Sequence, residues 1–130
     1  MGEFNYEKEF NNWKWNVPKN YNIGYDVCDK HAQGTKKDKI ALYWENFDGK
    51  TKKFTFGEIS SLSNQFGNAL KKLGFKKGDR CLIRLPNIPE FQISFIGGVK
   101  IGAVPIPSSV MFRSHEIEYR INDSSAKAVI

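Results

Sequence analysis

Apolar and polar positions change rhythm several times along the chain, and each change marks an element. Residues 40–45 (IALYWE) and 51–56 (TKKFTF) read as two strands around Asn46-Phe47-Asp48-Gly49, and Asp-Gly between aromatic and β-branched runs signals a hairpin. The pattern then turns helical, with Ile59, Leu62, Phe66, Ala69, Leu70 and Leu73 on one face. Thr55 and Glu58 have capping-box spacing at its start, and Gly74 suits a left-handed cap at its end. Residues 80–85 (RCLIRL) form a short apolar strand. Asn87 is the candidate cap of a helix running from Pro89 to about Ile101, with Phe91, Phe95, Ile96 and Val99 as its expected buried side. Gly97-Gly98 weakens that helix, and close approach to a sheet is the expected compensation. Residues 103–107 (AVPIP) form a strand, Ser114 caps a helix through Ile121, and residues 127–130 (KAVI) begin a third strand. Strand, helix, strand, helix, strand at this spacing predicts a right-handed parallel βαβαβ layer behind an N-terminal hairpin and helices, an α/β fold.

The N-terminal stretch is different. Residues 1–20 are rich in Asn and aromatics, with Trp13, Trp15 and Pro18 and no clear period. They predict an extended arm that packs on something, since exposed Trp is costly in a free tail. Residues 21–33 read as a short helix ended by Gly34. The division expected is therefore an arm, 1–20, and a subdomain, 21–130. The chain stops inside an apolar strand, whereas parallel sheets are covered on both faces and seldom left with a raw edge. A piece of a longer protein is the expectation, as is pairing or self-association through the exposed edge.

Composition narrows the function classes. With 130 residues, 40% of them hydrophobic, the chain can bury a real core without disulfides or metals. No apolar run is long enough for a membrane span, and the polar, acidic Met1–Phe10 segment points to the cytoplasm. Cys28 and Cys81 lie far apart in sequence, and Cys28 with His31 makes only half of a metal motif, so two buried free thiols are expected and no metal. The net charge of +6 comes mainly from Lys, 16 of the 20 basic residues, in small clusters at turns and helix ends. Solvated faces rather than a nucleic-acid surface explain that distribution.

Candidate chemistry gathers at the strand ends. The loop Pro107-Ser-Ser-Val-Met-Phe-Arg-Ser114 leaves the carboxyl end of a parallel strand, where ligands often bind. Ser108 and Ser109 offer hydroxyls there, and Arg113 offers a fork suited to phosphate. Arg120 and Glu116, four apart, can pair with each other. Arg84 either needs an acidic partner or reaches solvent along its stem.

From about Asn20 onward the chain resembles the N-terminal portion of AMP-forming acyl-CoA synthetases, within the adenylate-forming superfamily. The blocks that carry the resemblance include Tyr21-Asn-Ile-Gly-Tyr-Asp-Val-Cys-Asp29, Leu73-Gly-Phe-Lys-Lys-Gly-Asp-Arg80, Leu85-Pro-Asn-Ile-Pro-Glu-Phe91, Lys100-Ile-Gly-Ala-Val-Pro105 and the run from Glu118 to Ile130. The Asp26–Asp29 stretch and the strand carrying Trp44 look closest to the branch handling acetyl, branched or medium-chain acids.

The resemblance implies a ligase that converts a carboxylate to an acyl-adenylate with ATP and Mg²⁺, then to a thioester with coenzyme A. It implies that the loop bearing Ser108, Ser109 and Arg113 borders the coenzyme A channel, although Met111 and Phe112 stand where the family often has Gly or Pro. The family's phosphate loop, ribose-binding Asp, acidic Mg²⁺ ligand and catalytic Lys match nothing in this sequence, and neither a G-x-x-x-x-G-K-[ST] nor a G-x-G-x-x-G motif is present. The chain alone is therefore expected not to catalyse the reaction or to bind ATP or coenzyme A tightly. Its expected partner is the rest of the synthetase polypeptide or a partner chain, and the competing reading is a short interaction module.

Overall fold

Local chemistry fixes the first two strands. The computed structural model describes residues 4–130. In β1 (Ile40–Glu45) half-buried and exposed residues alternate, so Leu42 and Trp44 share the inner face. β1 pairs antiparallel with β2 (Thr51–Thr55), Leu42 opposite Phe54 and Trp44 opposite Lys52. The turn between them closes on itself: the Lys50 amide donates to Asn46 Oδ1 at 2.7 Å, and Gly49 takes φ +76°.

Thr55 ends β2 and starts α3 (Phe56–Lys72). Its side chain accepts from the Glu58 amide at 3.2 Å while Glu58 Oε2 accepts from the Thr55 amide at 2.7 Å, the reciprocal capping box. Gly74, at φ +84°, releases the chain from the helix. The buried stripe of α3 is Ile59, Ser63, Gly67 and Leu70, so the expected apolar face is only half right: Ala69 and Leu73 face solvent. Small residues are inside because α4 (Pro89–Lys100) crosses there at close range. A Cβ on Gly67 would stand 2.9 Å from the Gly97 carbonyl oxygen, and one on Gly97 would stand 2.5 Å from that of Ser63. Gly98 faces the other way, where a Cβ would meet Pro105 at 2.8 Å. The paired glycines thus serve two contacts, one with α3 and one with the sheet. Ser94, Gly97 and Gly98 lie deeper than the expected Phe91, Phe95, Ile96 and Val99, which are half-buried.

α4 starts from Ile88 rather than Asn87, and no side chain caps it. Pro89 at its first position has no N–H to leave unsatisfied. The Asn87 carbonyl accepts the Trp44 indole N–H at 2.8 Å, which ties the hairpin to the turn after β3.

The parallel layer has β3 (Arg80–Ile83) in the middle, β4 (Val104–Pro107) on one side and β5 (Ala128–Val129) on the other. Every side chain from Cys81 to Ile83 is fully buried, as a central parallel strand requires. Cys81 joins Leu70, Phe75 and Ala103 in the core, with Phe66, Ile101 and Ile130 packed around them. α5 (Ser114–Ser124) links β4 to β5 and buries no residue completely. β3 stops at Ile83, two residues short of the expected end, although the Arg84 amide still donates to the Ile130 carbonyl at 2.8 Å.

Before β1, a π-helical turn (Tyr25–Asp29) runs into the single α-helical turn α2 (Lys30–Ala32). Further upstream α1 (Tyr6–Asn12), capped by Asn5, replaces the extended conformation expected there. Its aromatics pack on one another: Tyr6 stacks on Phe10 at 5.9 Å, and Trp13 meets Trp15 edge-on at 4.6 Å. Every residue from Phe4 to Ile23 is exposed. The arm expectation begins at Met1, and residues 1–3 lie outside the described residues.

Candidate functional site

The carboxyl edge of the parallel sheet gathers the polar groups singled out from the sequence. The Ser108 amide donates to the Ile83 carbonyl at 2.8 Å, so β4 and β3 release their loops side by side. Ser108 Oγ is shut off from water and has no hydrogen-bond partner, an uncommon state for a hydroxyl in a native fold. Ser109 Oγ accepts the Met111 amide at 3.2 Å and shapes the turn that follows. Arg113 holds the N-cap position of α5, displacing the expected cap Ser114 by one residue. Its amide donates to Glu116 Oε2 at 2.8 Å, which occupies that carboxylate.

Glu116 and Arg120 therefore do not pair through their side chains. Arg120 Nη1 donates instead to the Glu116 carbonyl at 3.0 Å, and its guanidinium lies 3.8 Å from the centre of the Phe112 ring. Arg84 has no acidic partner and reaches solvent, the second of its two expected fates, but its head group is also engaged. Its Nη2 donates to the Val110 carbonyl at 2.6 Å and to that of Phe112 at 3.0 Å, closing the loop from the β3 side. These two arginine contacts were not legible in the sequence. The only available signal was an arginine at the end of an apolar strand, and its acceptors lie on another loop.

An open cavity of about 910 Å³ lies beside this loop, walled by Arg84, Met111, Phe112, Arg113, Ile117 and Val129. Arg113 is the one candidate that lines it; Ser108 and Ser109 do not. The Arg113 side chain makes no hydrogen bond or ion pair among the described residues, so its planar fork is free to bind an anion. Apolar side chains, two arginines and the carboxylate of Glu118 line it together, a mixed wall suited to an amphipathic ligand with an anionic group for Arg113.

A second polar cluster lies on the opposite side of α4. Lys100 Nζ donates to Asp29 Oδ1 at 2.5 Å, to Ser63 Oγ at 2.8 Å and to Asn64 Oδ1 at 3.0 Å. Ser60 Oγ donates to the same Asp29 oxygen at 2.6 Å. The ammonium is largely buried and fully engaged, which makes the cluster a fastener between the π-helical turn, α3 and α4. Both thiols are buried and free. Burial pushes Cys28 up from its ordinary value, against a smaller opposing pull from Lys100, and burial alone pushes Cys81 up. His31 packs its ring on Phe56 at 4.9 Å. No group of three or more His, Cys, Asp or Glu among the described residues could hold a metal ion, and no helix among them is long and apolar enough to cross a membrane.

Known proteins resemble this chain in sequence and in fold. The family model described as AMP-binding enzyme matches residues 28–130. The acetyl-coenzyme A synthetase of Bacillus subtilis is 33% identical over 97% of this chain, and the match covers 24% of that protein. The crystal structure of an acyl-CoA synthetase from Brucella canis superposes with a TM-score of 0.81 at 28% identity, covering 98% of this chain and 23% of that one. An anthranilate CoA ligase, AuaEII, solved in complex with anthranoyl-AMP, gives a TM-score of 0.76 at 30% identity over 87% of this chain and 20% of that one. The chain thus spans about a quarter or less of the length of the relatives it matches.

Proposed function

This chain belongs to the AMP-binding enzyme family, and from that premise we propose that it is the N-terminal segment of an ATP-dependent, AMP-forming carboxylate–CoA ligase. The observation that carries the reading is the near-complete coverage of this chain by acyl- and acetyl-CoA synthetases, in sequence and in fold. The anthranoyl-AMP held by the structurally similar ligase is the kind of acyl-adenylate such a reaction passes through. A carboxylate is a poor electrophile, and joining it to AMP supplies a leaving group that the thiol of coenzyme A can displace.

Within that reaction the parallel layer is scaffold, and the loop after β4 faces coenzyme A. Ser108, Ser109 and Arg113 are the candidate residues, with Arg113 the one best placed to meet a phosphate. The sequence has no glycine-rich phosphate loop, so in this reading the groups that hold ATP and Mg²⁺ belong to the rest of the synthetase polypeptide. The rest of the synthetase polypeptide is then the natural cover for the free edge of β5, and two copies of the chain alone would pair there instead.

The test uses the complete synthetase polypeptide that carries this segment, assayed for coenzyme A-dependent release of AMP from ATP with acetate and short acids as substrates. Activity in the long form and none in the 130-residue chain is the expected result. No thioester formation with any carboxylate in the long form would overturn the reading. Arg113→Ala should raise the KM for coenzyme A about tenfold, the loss of roughly one charge-assisted contact. It should leave carboxylate-dependent exchange of pyrophosphate into ATP unchanged.

A further inference from the structure

The loop facing the large cavity is exposed and carries bulky side chains, yet it holds a definite shape. Met111 is 85% exposed and Val110 is 42% exposed, so burial does not order this stretch. Backbone strain is not the device either. No residue from Ser108 to Arg113 has a positive φ, so Met111 and Phe112 adopt the loop without the freedom of glycine. Polar and aromatic contacts order it instead: Ser109 accepts the Met111 and Phe112 amides within the turn, and two arginines brace the turn from outside.

Arg84 lies just beyond the last residue of β3, the most deeply buried strand, so its backbone is firmly placed. Its amide continues the ladder by donating to the Ile130 carbonyl at 2.8 Å. From that base one terminal nitrogen, which carries two hydrogens, reaches both the Val110 and the Phe112 carbonyls. Arg120 on α5 closes the loop from the other side by covering the Phe112 ring. The residue after Phe112 is Arg113, whose amide is tied to Glu116 and whose side chain lines the cavity. The acceptors of Arg84 are carbonyls, not carboxylates, and its exposed guanidinium shares the cavity wall with Arg113 and with the carboxylate of Glu118.

We propose that Arg84 is a positioning residue. It clamps the 110–112 backbone so that Arg113 presents its guanidinium to the cavity, and Arg120 acts as a second brace through Phe112. The role in coenzyme A binding rests on the functional reading above; the clamp itself does not. A lysine at 84 has the charge and could reach one carbonyl, but it lacks the planar fork.

Two measurements separate the clamp from that reading. The first is amide hydrogen exchange across residues 108–114 in the full 130-residue chain, with α3 as internal control. Arg84→Met should speed exchange in the loop at least tenfold and leave α3 unchanged, and Arg84→Lys should fall between. If Arg84→Met does not fold, Arg84→Lys and Arg120→Gln carry the test. Loop exchange unaltered in folded variants overturns the clamp. The second is kinetics of the complete synthetase. Arg84→Met should raise the KM for coenzyme A about tenfold while carboxylate-dependent pyrophosphate exchange stays at the unsubstituted rate. Faster loop exchange with an unaltered KM would leave the clamp standing and sink the coenzyme A reading of the loop.

Discussion

At the scale of single residues, the decisive contacts are polar ones between segments far apart in sequence. Lys100 is the clearest case. Its side chain is 8% exposed and that of Asp29 16%, so neither charge turns readily to bulk water if the other is removed. Lys100→Met would leave Asp29 desolvated with only Ser60 as donor, and we expect a loss of about 2–3 kcal/mol, somewhat below the range for fully buried pairs. Urea unfolding checks this, and replacing both residues with apolar ones should recover most of the loss. Asp79 predicts a pH effect. The hydrogen bond from Lys127, at 2.7 Å, and then the amide of Lys76 hold its carboxyl below the ordinary value of 3.8. A carboxylate depressed in the folded state contributes stability above its unfolded value, and that contribution is lost as the pH falls through the folded one. Asp79→Asn should therefore destabilise the chain at neutral pH and flatten the decline in stability below about pH 4. A melting series in acid with the same slope for both proteins would contradict this.

At the scale of elements, glycine and serine decide how helices meet. The α3–α4 crossing depends on Ser63, Gly67 and Gly97 being small. Gly97→Ala would gain about 1 kcal/mol of helix propensity. It would also force a methyl 2.5 Å from the Ser63 carbonyl oxygen and 2.9 Å from the Phe66 ring. Backbone cannot yield as a side-chain tip can, so overpacking of about 1–3 kcal/mol prevails. The variant should lose stability despite its better helix former; a raised melting temperature would refute the close crossing. Elements whose signals are local were legible in the sequence: the Asp48-Gly49 turn, the Thr55–Glu58 capping box, the Gly74 stop and the alternation of strands and helices that makes the sheet parallel. What the sequence hid was tertiary. Asn87 has the chemistry of a cap, but its carbonyl is taken by Trp44, 43 residues away in sequence, and the helix starts at Pro89. The apolar face read for α4 was Phe91, Phe95, Ile96 and Val99, whereas the glycines lie deeper, because apolarity does not reveal how closely a neighbour approaches. The same holds at the candidate site. Arg113 could be singled out by its chemistry and loop position, while Arg84 and Arg120 act on backbone and ring atoms that no spacing rule connects to them.

At the scale of the whole molecule, the described chain divides into a stretch with no burial and a body with a core. From Phe4 to Ile23 every residue is exposed, including Trp13 at 60% and Trp15 at 81%. The first fully buried residue is Gly24, where a Cβ would stand 2.7 Å from Lys100 Cγ. The core around Leu70, Cys81 and Ala103 takes no side chain from the arm. Removing residues 1–20 should therefore change the unfolding free energy by no more than about 0.5 kcal/mol, the usual range for surface changes. It should also remove an exposed aromatic surface built from Phe4, Tyr6, Phe10 and Trp13, and with it a source of self-association. Urea unfolding of 21–130 beside the full chain measures the first effect, and sedimentation over a range of concentrations measures the second. Trp44 would then be the only tryptophan left, and its fluorescence, tied to the Asn87 contact, should report the unfolding of the hairpin with the body. A large loss of stability in 21–130 would mean that the arm packs on the body in solution, and the division at residue 20 would fall.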